Sequence, residues 1–218
     1  AGTGEIINSA WKKGILVPGF NIPYLPMMEP VIKALYETGT FGLIMVARLE
    51  WIKFKAGGLK PIYSEYKKLE NRQFVRLHLD HVPVIDEDNL YTEFEKIIGE
   101  AIEIGYDSVM VDGSRLSLDE NIKQTSKITK ITRQGSIPVE SELGAVMGHE
   151  SGPLPPYEEL FASGKGFTSE DEALRFVNET RTDWLSVAIG NVHGAISAMT
   201  RSKEKIRARL NISHLSRI

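Results

Sequence analysis

The sequence predicts an α/β fold built on a parallel sheet, and three observations carry that prediction. About six apolar, β-branched runs recur at intervals of about 30 residues, the spacing of βαβ units. The stretches between them place apolar residues at helical intervals. Carboxylates and imidazoles gather at the C-terminal ends of the runs rather than on the intervening helices. Alternation of this kind suits a doubly wound sheet or a barrel, and the pattern alone does not choose between them. No Gly-x-Gly-x-x-Gly follows the first run, which weakens a dinucleotide-binding reading. With no linker or low-complexity tract, residues 1–218 read as a single domain.

Composition sets the outer limits. The chain is 42% hydrophobic and 25% charged with a net charge of −3, near the average for globular proteins. That charge offers no electrostatic case for nucleic acid or membrane as a partner. The longest apolar runs, such as Phe41 to Ala47, fall far below a membrane span. Zero cysteines exclude disulfides and thiolate metal sites and fit an intracellular, cytoplasmic protein.

Taken in order, Ile6–Gly14 reads as a helix and Ile15–Asn21 as a strand. Pro30 suits the first turn of a helix whose face carries Val31 and Leu35 and which Gly39 closes. The second strand is Phe41–Ala47, and Trp51–Asn71 reads as loop and then helix. Val75 to His81 is the third strand. Leu90, Phe94, Ile97, Ile98, Ala101 and Ile102 form a helical stripe that Gly105 stops. Asp107–Ser114 is the fourth strand. Ser117 and Glu120 have capping-box spacing before a helix bearing Ile122, Ile128 and Ile131. Ile137–Gly144 is the fifth strand, and a Gly/Pro-rich loop, a candidate lid, follows from Gly148 to Gly166. Ser169 and Glu172 cap a helix with Ala173, Phe176 and Val177. Trp184–Gly190 is the last strand, running into Asn191 and His193, and a basic segment and a helix to Ile218 end the chain.

The chemistry sits at the strand ends. Asp80 and His81, Asp112, Glu140 and Glu142, and His193 all lie at or just past a predicted C-terminal end. In a parallel barrel those ends converge on the face where active sites are built. Each has a plain alternative: Asp112 as a helix cap, His193 as a structural turn residue, the Asp80–His81 pair as a polar strand end. Strict alternation sets His78 and Asp80 on one face of the strand and His81 on the other, unless the strand ends there. Together the set offers nitrogen and oxygen donors for a zinc ion.

These residues fall into blocks that resemble a known family. His78-Leu79-Asp80-His81 is similar to the His-x-Asp-His motif of class II, metal-dependent fructose-bisphosphate and tagatose-bisphosphate aldolases. Val139 to Glu150 resembles that family's acidic motif, and Val109–Ser114 and Ile189–Gly194 resemble two further blocks, in family order. The resemblance spans Gly14 to Ala198. It implies a (β/α)8 TIM barrel cleaving a ketose bisphosphate to dihydroxyacetone phosphate and an aldehyde phosphate. Zinc would be held by His81, His193 and a third histidine, polarising the ketose carbonyl and stabilising the enediolate. Asp112 and Glu142 would serve a second metal position or orient the ligands, with a monovalent cation as a further candidate. Asp80 would move the proton of the C4 hydroxyl and Glu150 would carry a proton on the lid. Asn21, Arg48, Asn191 and Gly194 would face the phosphorylated sugar. A homodimer or homotetramer is the implied assembly.

The chain also departs from the family. The late His-Gly-Gly-Ser-Gly segment that supplies the third histidine has no counterpart here, so the last two βα units and that ligand are expected beyond Ile218. His214, set among Leu210, Ile212 and Leu215, reads as a surface or helix-end residue. Arg48, where the family has a small polar strand end, is expected to hold a phosphate or to pair with Glu50. A non-catalytic sugar-phosphate-binding or assembly protein on the same fold is the rival reading. A Schiff-base aldolase is weaker, because no lysine stands at a strand end.

Overall fold

The computed structural model describes residues 1–144, 157–191 and 208–218. Among them six strands form one sheet in chain order, every neighbouring pair parallel. They are β1 (Gly19–Asn21), β2 (Gly42–Ala47), β3 (Val75–Pro83), β4 (Ser108–Asp112), β5 (Val139–Leu143) and β6 (Trp184–Val187). The helices are α1 (Thr3–Lys12), α2 (Met28–Glu37), α3 (Arg48–Ile52), α4 (Leu59–Leu69), α5 (Phe94–Ile104), α6 (Leu118–Thr132), α7 (Tyr157–Ser163), α8 (Glu170–Thr180) and α9 (Ile212–Leu215).

The sheet is curled. Alternate strands of a flat sheet lie roughly 9.5 Å apart, with side chains standing parallel. Here Asn21 on β1 hydrogen-bonds Asp80 on β3, and His78 and His81 on β3 come within 3.4 and 3.3 Å of Glu140 and Glu142 on β5. Side chains that skip a strand and still meet must rise from a concave face. The result is a half-barrel of the kind found in part of a TIM-type barrel.

The convex face makes the core. Leu77, Leu79, Val82, Val109 and Val111 are fully buried there with Ile62, Ile98 and Ile128 from the helices. A second cluster joins Ile122 of α6, Leu143 of β5 and Ala173 and Phe176 of α8. Apolar residues therefore fill the layer between sheet and helices, while the concave side carries His78, Asp80, Glu140 and Glu142 alongside Met45 and Met110.

Four boundaries differ from expectation. The first strand begins at Gly19, not Ile15, because Pro18 has no N–H to continue a ladder. Helix α5 starts at Phe94, since the Asp86 carboxylate accepts the N–H groups of Asp88 and Leu90 and folds them into a turn. The predicted loop contains α7, whose Tyr157 hydroxyl donates to the Gly190 carbonyl and so ties it to the end of β6. The terminal helix is the single turn α9 rather than a run to Ile218.

Candidate active site

The centre of the site is a bulge in β3. Leu79 pairs with Val109 and Val82 with Val111, so three steps on β3 match two on β4. The extra residue is absorbed at His81, whose φ is +34°, a value rare outside glycine. A bulge of this kind re-aims a side chain. It turns the His81 ring onto the same side as Asp80, with Nε2 3.8 Å from Asp80 Oδ1. The strand continues to Pro83, so it is the bulge, and not a strand end, that puts the two neighbours together.

Strands β4 and β5 bring carboxylates to the other edge of the ring. His81 Nδ1 lies 3.4 Å from Asp112 Oδ2 and 3.3 Å from Glu142 Oε2. One donor atom from each of the three residues fits within a 4.8 Å span. Donors bound tetrahedrally to one ion at about 2.0–2.1 Å stand roughly 3.3–3.4 Å apart, so the spacing suits a small divalent cation. Both Glu142 oxygens are buried and accept no hydrogen bond among the described residues, a costly state for a carboxylate that a cation would relieve. The donor set therefore fits the metal that the sequence implies.

Protonation follows from this crowding. Burial would lower the His81 pKa, but Asp80, Asp112 and Glu142 together raise it to about 10. Burial, with Asp112 beside it, pushes Glu142 up to about 8. Asp112 resists its own burial through His81 and Ser114 and is held at about 2. Its Oδ1 accepts from the Ser114 N–H and hydroxyl, while Ser117 caps α6 by accepting from the Glu120 N–H. Asp112 is thus a turn-former with one oxygen aimed at His81.

Asp80, His81 and Asp112 line a cavity of about 360 Å³ with Asn21, Ala47, Leu49, Glu50, Phe54, Pro83, Ile85, Glu87 and Arg115. Asn21 Nδ2 donates to Asp80 Oδ2 at 2.7 Å. Of the two expectations for Arg48, the pairing with Glu50 is the one the structure does not show. Instead, Glu50 Oε2 accepts the Ala47 N–H at 2.7 Å, closing the first turn of α3. An acid three residues past a strand end was the signal available for that role. Arg48 lies 3.8 Å from Asp86 and is absent from the cavity lining.

The remaining candidates fall in different places. Glu140 sits one layer below Glu142, opposite His78, whose Nδ1 meets the Ser108 hydroxyl at 2.8 Å. Burial lowers His78 to about 4 and raises Glu140 to about 7, so both are neutral between those values. Asn191 accepts the Ile189 N–H and shapes the turn after β6. His214 stands in the last turn of α9, half-buried, with Nε2 2.7 Å from the Thr168 carbonyl. Glu150, His193 and Gly194 lie outside the described residues.

A family model described as fructose-bisphosphate aldolase class-II matches residues 1–218. The chain belongs to that family. Among curated members, a fructose-bisphosphate aldolase of Streptococcus pyogenes serotype M3 is 31% identical over 194 residues, covering 87% of this chain and 59% of its own length. One from Helicobacter pylori strain J99 is 31% identical over 195 residues, covering 88% and 57%. This class II chain thus spans less than two thirds of the relatives it matches. The crystal structure of the YdjI aldolase from Escherichia coli K12 aligns with a TM-score of 0.67 at 27% identity, over 88% of this chain and 63% of that one. A putative fructose-1,6-biphosphate aldolase from Coccidioides immitis shares the fold, with a TM-score of 0.71 at 22% identity over 99% and 68% of the two chains.

Proposed function

We propose that the protein catalyses reversible, zinc-dependent aldol cleavage of a ketose bisphosphate, fructose 1,6-bisphosphate or an epimer, to dihydroxyacetone phosphate and an aldehyde phosphate. The observation that carries this is the junction in β3, where a candidate acid/base, Asp80, abuts His81 of the cation-competent trio His81, Asp112 and Glu142, with Asp80, His81 and Asp112 lining one cavity. Family membership supports the reaction class.

The residues take the following parts. Asp80 accepts the C4 hydroxyl proton at Oδ1, because Oδ2 is already engaged by Asn21. The C3–C4 bond then breaks, its electron pair moves into the ketone half, and the departing half leaves as an aldehyde. His81, Asp112 and Glu142 would hold a divalent ion, which when bound would supply Lewis-acid polarisation of the ketose carbonyl. Glu150 returns a proton to the carbon left behind. His193 completes the ligand set. Asn21, Arg48, Asn191 and Gly194 contact substrate, Arg48 after exchanging Asp86 for a phosphate. A homodimer or homotetramer in the cytoplasm completes the proposal.

The test is a retro-aldol assay of the zinc-loaded protein with metal content measured in parallel. Cleavage of fructose 1,6-bisphosphate that is lost together with the metal in His81→Ala and His193→Ala supports the reading. Variants that keep both wild-type metal and wild-type turnover would sink it.

A further inference from the structure

The turn after β4 brings a cation to the cavity that the reaction just described does not use. Asp112 Oδ1 fixes that turn by accepting the Ser114 N–H and hydroxyl, and the Leu116 N–H donates to the Gly113 carbonyl at 2.9 Å. Between them stands Arg115, which lines the same cavity as Asp80 and Asp112. Its Nη1 donates to the Asp86 carbonyl at 2.9 Å and approaches Asn89 Oδ1 at 3.4 Å. Those acceptors belong to a closed turn, where the Asp86 carboxylate takes the N–H groups of Asp88 and Leu90 and the Asp86 carbonyl also takes that of Asn89. One end of the guanidinium is thus tethered to a fixed loop after β3. Nη2 and Nε hydrogen-bond nothing among the described residues.

Both oxygens that hold Arg115 are neutral, and no carboxylate among the described residues pairs with it, so its charge is uncompensated. Arg48 differs: it faces the Asp86 carboxylate at 3.8 Å and must release it before taking an anion. The cavity wall is otherwise acidic, with Glu50, Asp80, Glu87 and Asp112, and Arg115 is its one arginine or lysine among the described residues. A phosphate entering the cavity is repelled by that wall and attracted to Arg115, whose free Nε and Nη2 edge matches two phosphate oxygens.

We propose that Arg115 is a specificity residue: its free guanidinium edge binds the phosphate of the half that leaves as an aldehyde. The choice of half rests on the aldolase reading. The ketone half belongs with the trio, whose Glu142 lies on β5 beside β6, the strand that Asn191 follows. Arg115 leans the other way, onto the loop that follows β3, the strand of Asp80. With the C4 hydroxyl at Asp80, the chain beyond C4 therefore runs toward Arg115.

Arg115→Met is the discriminating variant, because it keeps the apolar stem and removes the fork. With the zinc-loaded protein, kcat/KM for fructose 1,6-bisphosphate should fall by about tenfold to a hundredfold, the range for charge-assisted hydrogen bonds to an anion. Fructose 1-phosphate has the same carbon chain without the second phosphate, and its kcat/KM should change by less than about threefold. The preference for the bisphosphate thus collapses, at wild-type metal content and thermal midpoint. Equal losses on both substrates, or an undiminished preference, overturn the assignment. Should Arg115→Met fail to fold, Arg115→Lys carries the test: it keeps the charge without the fork and should lose several-fold on the bisphosphate alone. Independently of turnover, a hexitol 1,6-bisphosphate, which has no carbonyl and cannot be cleaved, should bind wild type more tightly than either variant in a calorimetric titration. Equal affinities overturn the anchor. A wild-type protein that cleaves no ketose phosphate overturns the aldolase reading instead, and the hexitol titration still decides whether Arg115 holds a phosphate.

Discussion

His81 Nδ1 stands 3.3 Å from Glu142 Oε2 although β4 runs between the strands that carry them. The contact depends on both the curl of the sheet and the bulge in β3, and it places an imidazole against a carboxylate that accepts no hydrogen bond among the described residues.

Metal content should follow this trio residue by residue. Glu142→Gln and Asp112→Asn each remove one anionic donor while keeping its shape. Bound zinc after exhaustive dialysis is expected to fall well below one equivalent in either variant. Asp80→Asn should keep its metal, since Asp80 supplies none of the three clustered donors. Retention of a full equivalent in Glu142→Gln would remove the carboxylate from the ligand set.

The metal-free protein should lose stability as pH rises above 7. Glu142, ordinarily near 4.5, titrates near 8 in the folded state, so its contribution is complete below 4.5 and fades as pH passes 8. His81 acts in the same direction, complete below 6.5 and lost through about 10. Glu140 and His78 oppose each other between about 4.5 and 6.5, so the decline across that window is Glu142's alone. Asp112 matters only at the acid end, where its contribution is lost as pH falls through about 2. Urea midpoints of the stripped protein should fall between pH 7 and 10 by an amount worth on the order of 5 kcal/mol. Zinc, which selects the deprotonated ligands, should reverse the trend.

Asp80→Asn should lower kcat by about 10²–10⁴-fold, the usual share of a positioned acid/base. The substitution is nearly isosteric, and its effect on the thermal midpoint should be small. A kcat within threefold of wild type would move the proton-transfer role elsewhere.

Gly144→Ala tests how the mouth of the half-barrel is fastened. Gly144 has φ +103°, and a Cβ there would meet the Thr168 hydroxyl oxygen at 2.5 Å. That hydroxyl donates to the Leu143 carbonyl and accepts from the Ala188 N–H, tying the ends of β5 and β6. A loss of roughly 1–3 kcal/mol in chemical denaturation is expected from the strained backbone, with more if the Thr168 bonds break.

The strand–helix alternation was legible because periodicity reports burial, and the runs at Phe41, Val75, Asp107, Ile137 and Trp184 each contain an observed strand. Asp80, His81, Asp112 and Glu142 were legible as strand-end acids and imidazoles, and the structure gathers all four. Two things were not. The direction of His81 depends on a bulge, and no residue in Asp80-His81-Val82 announces a positive φ, because the extra step is forced by pairing with β4. The role of Glu50 was hidden behind Arg48, whose partner Asp86 lies in a turn 38 positions away that only tertiary structure brings near.

Strand order identical to chain order gives the molecule an assembly history. Each strand pairs with the one made just before it, so the sheet can grow by successive short loop closures without waiting for a distant segment. His81 arrives with the third strand and Asp112 with the fourth, and the trio closes only when Glu142 docks with the fifth. Capture of a cation is therefore a record of how far folding has advanced, and a chain stalled before its fifth strand has no site to fill.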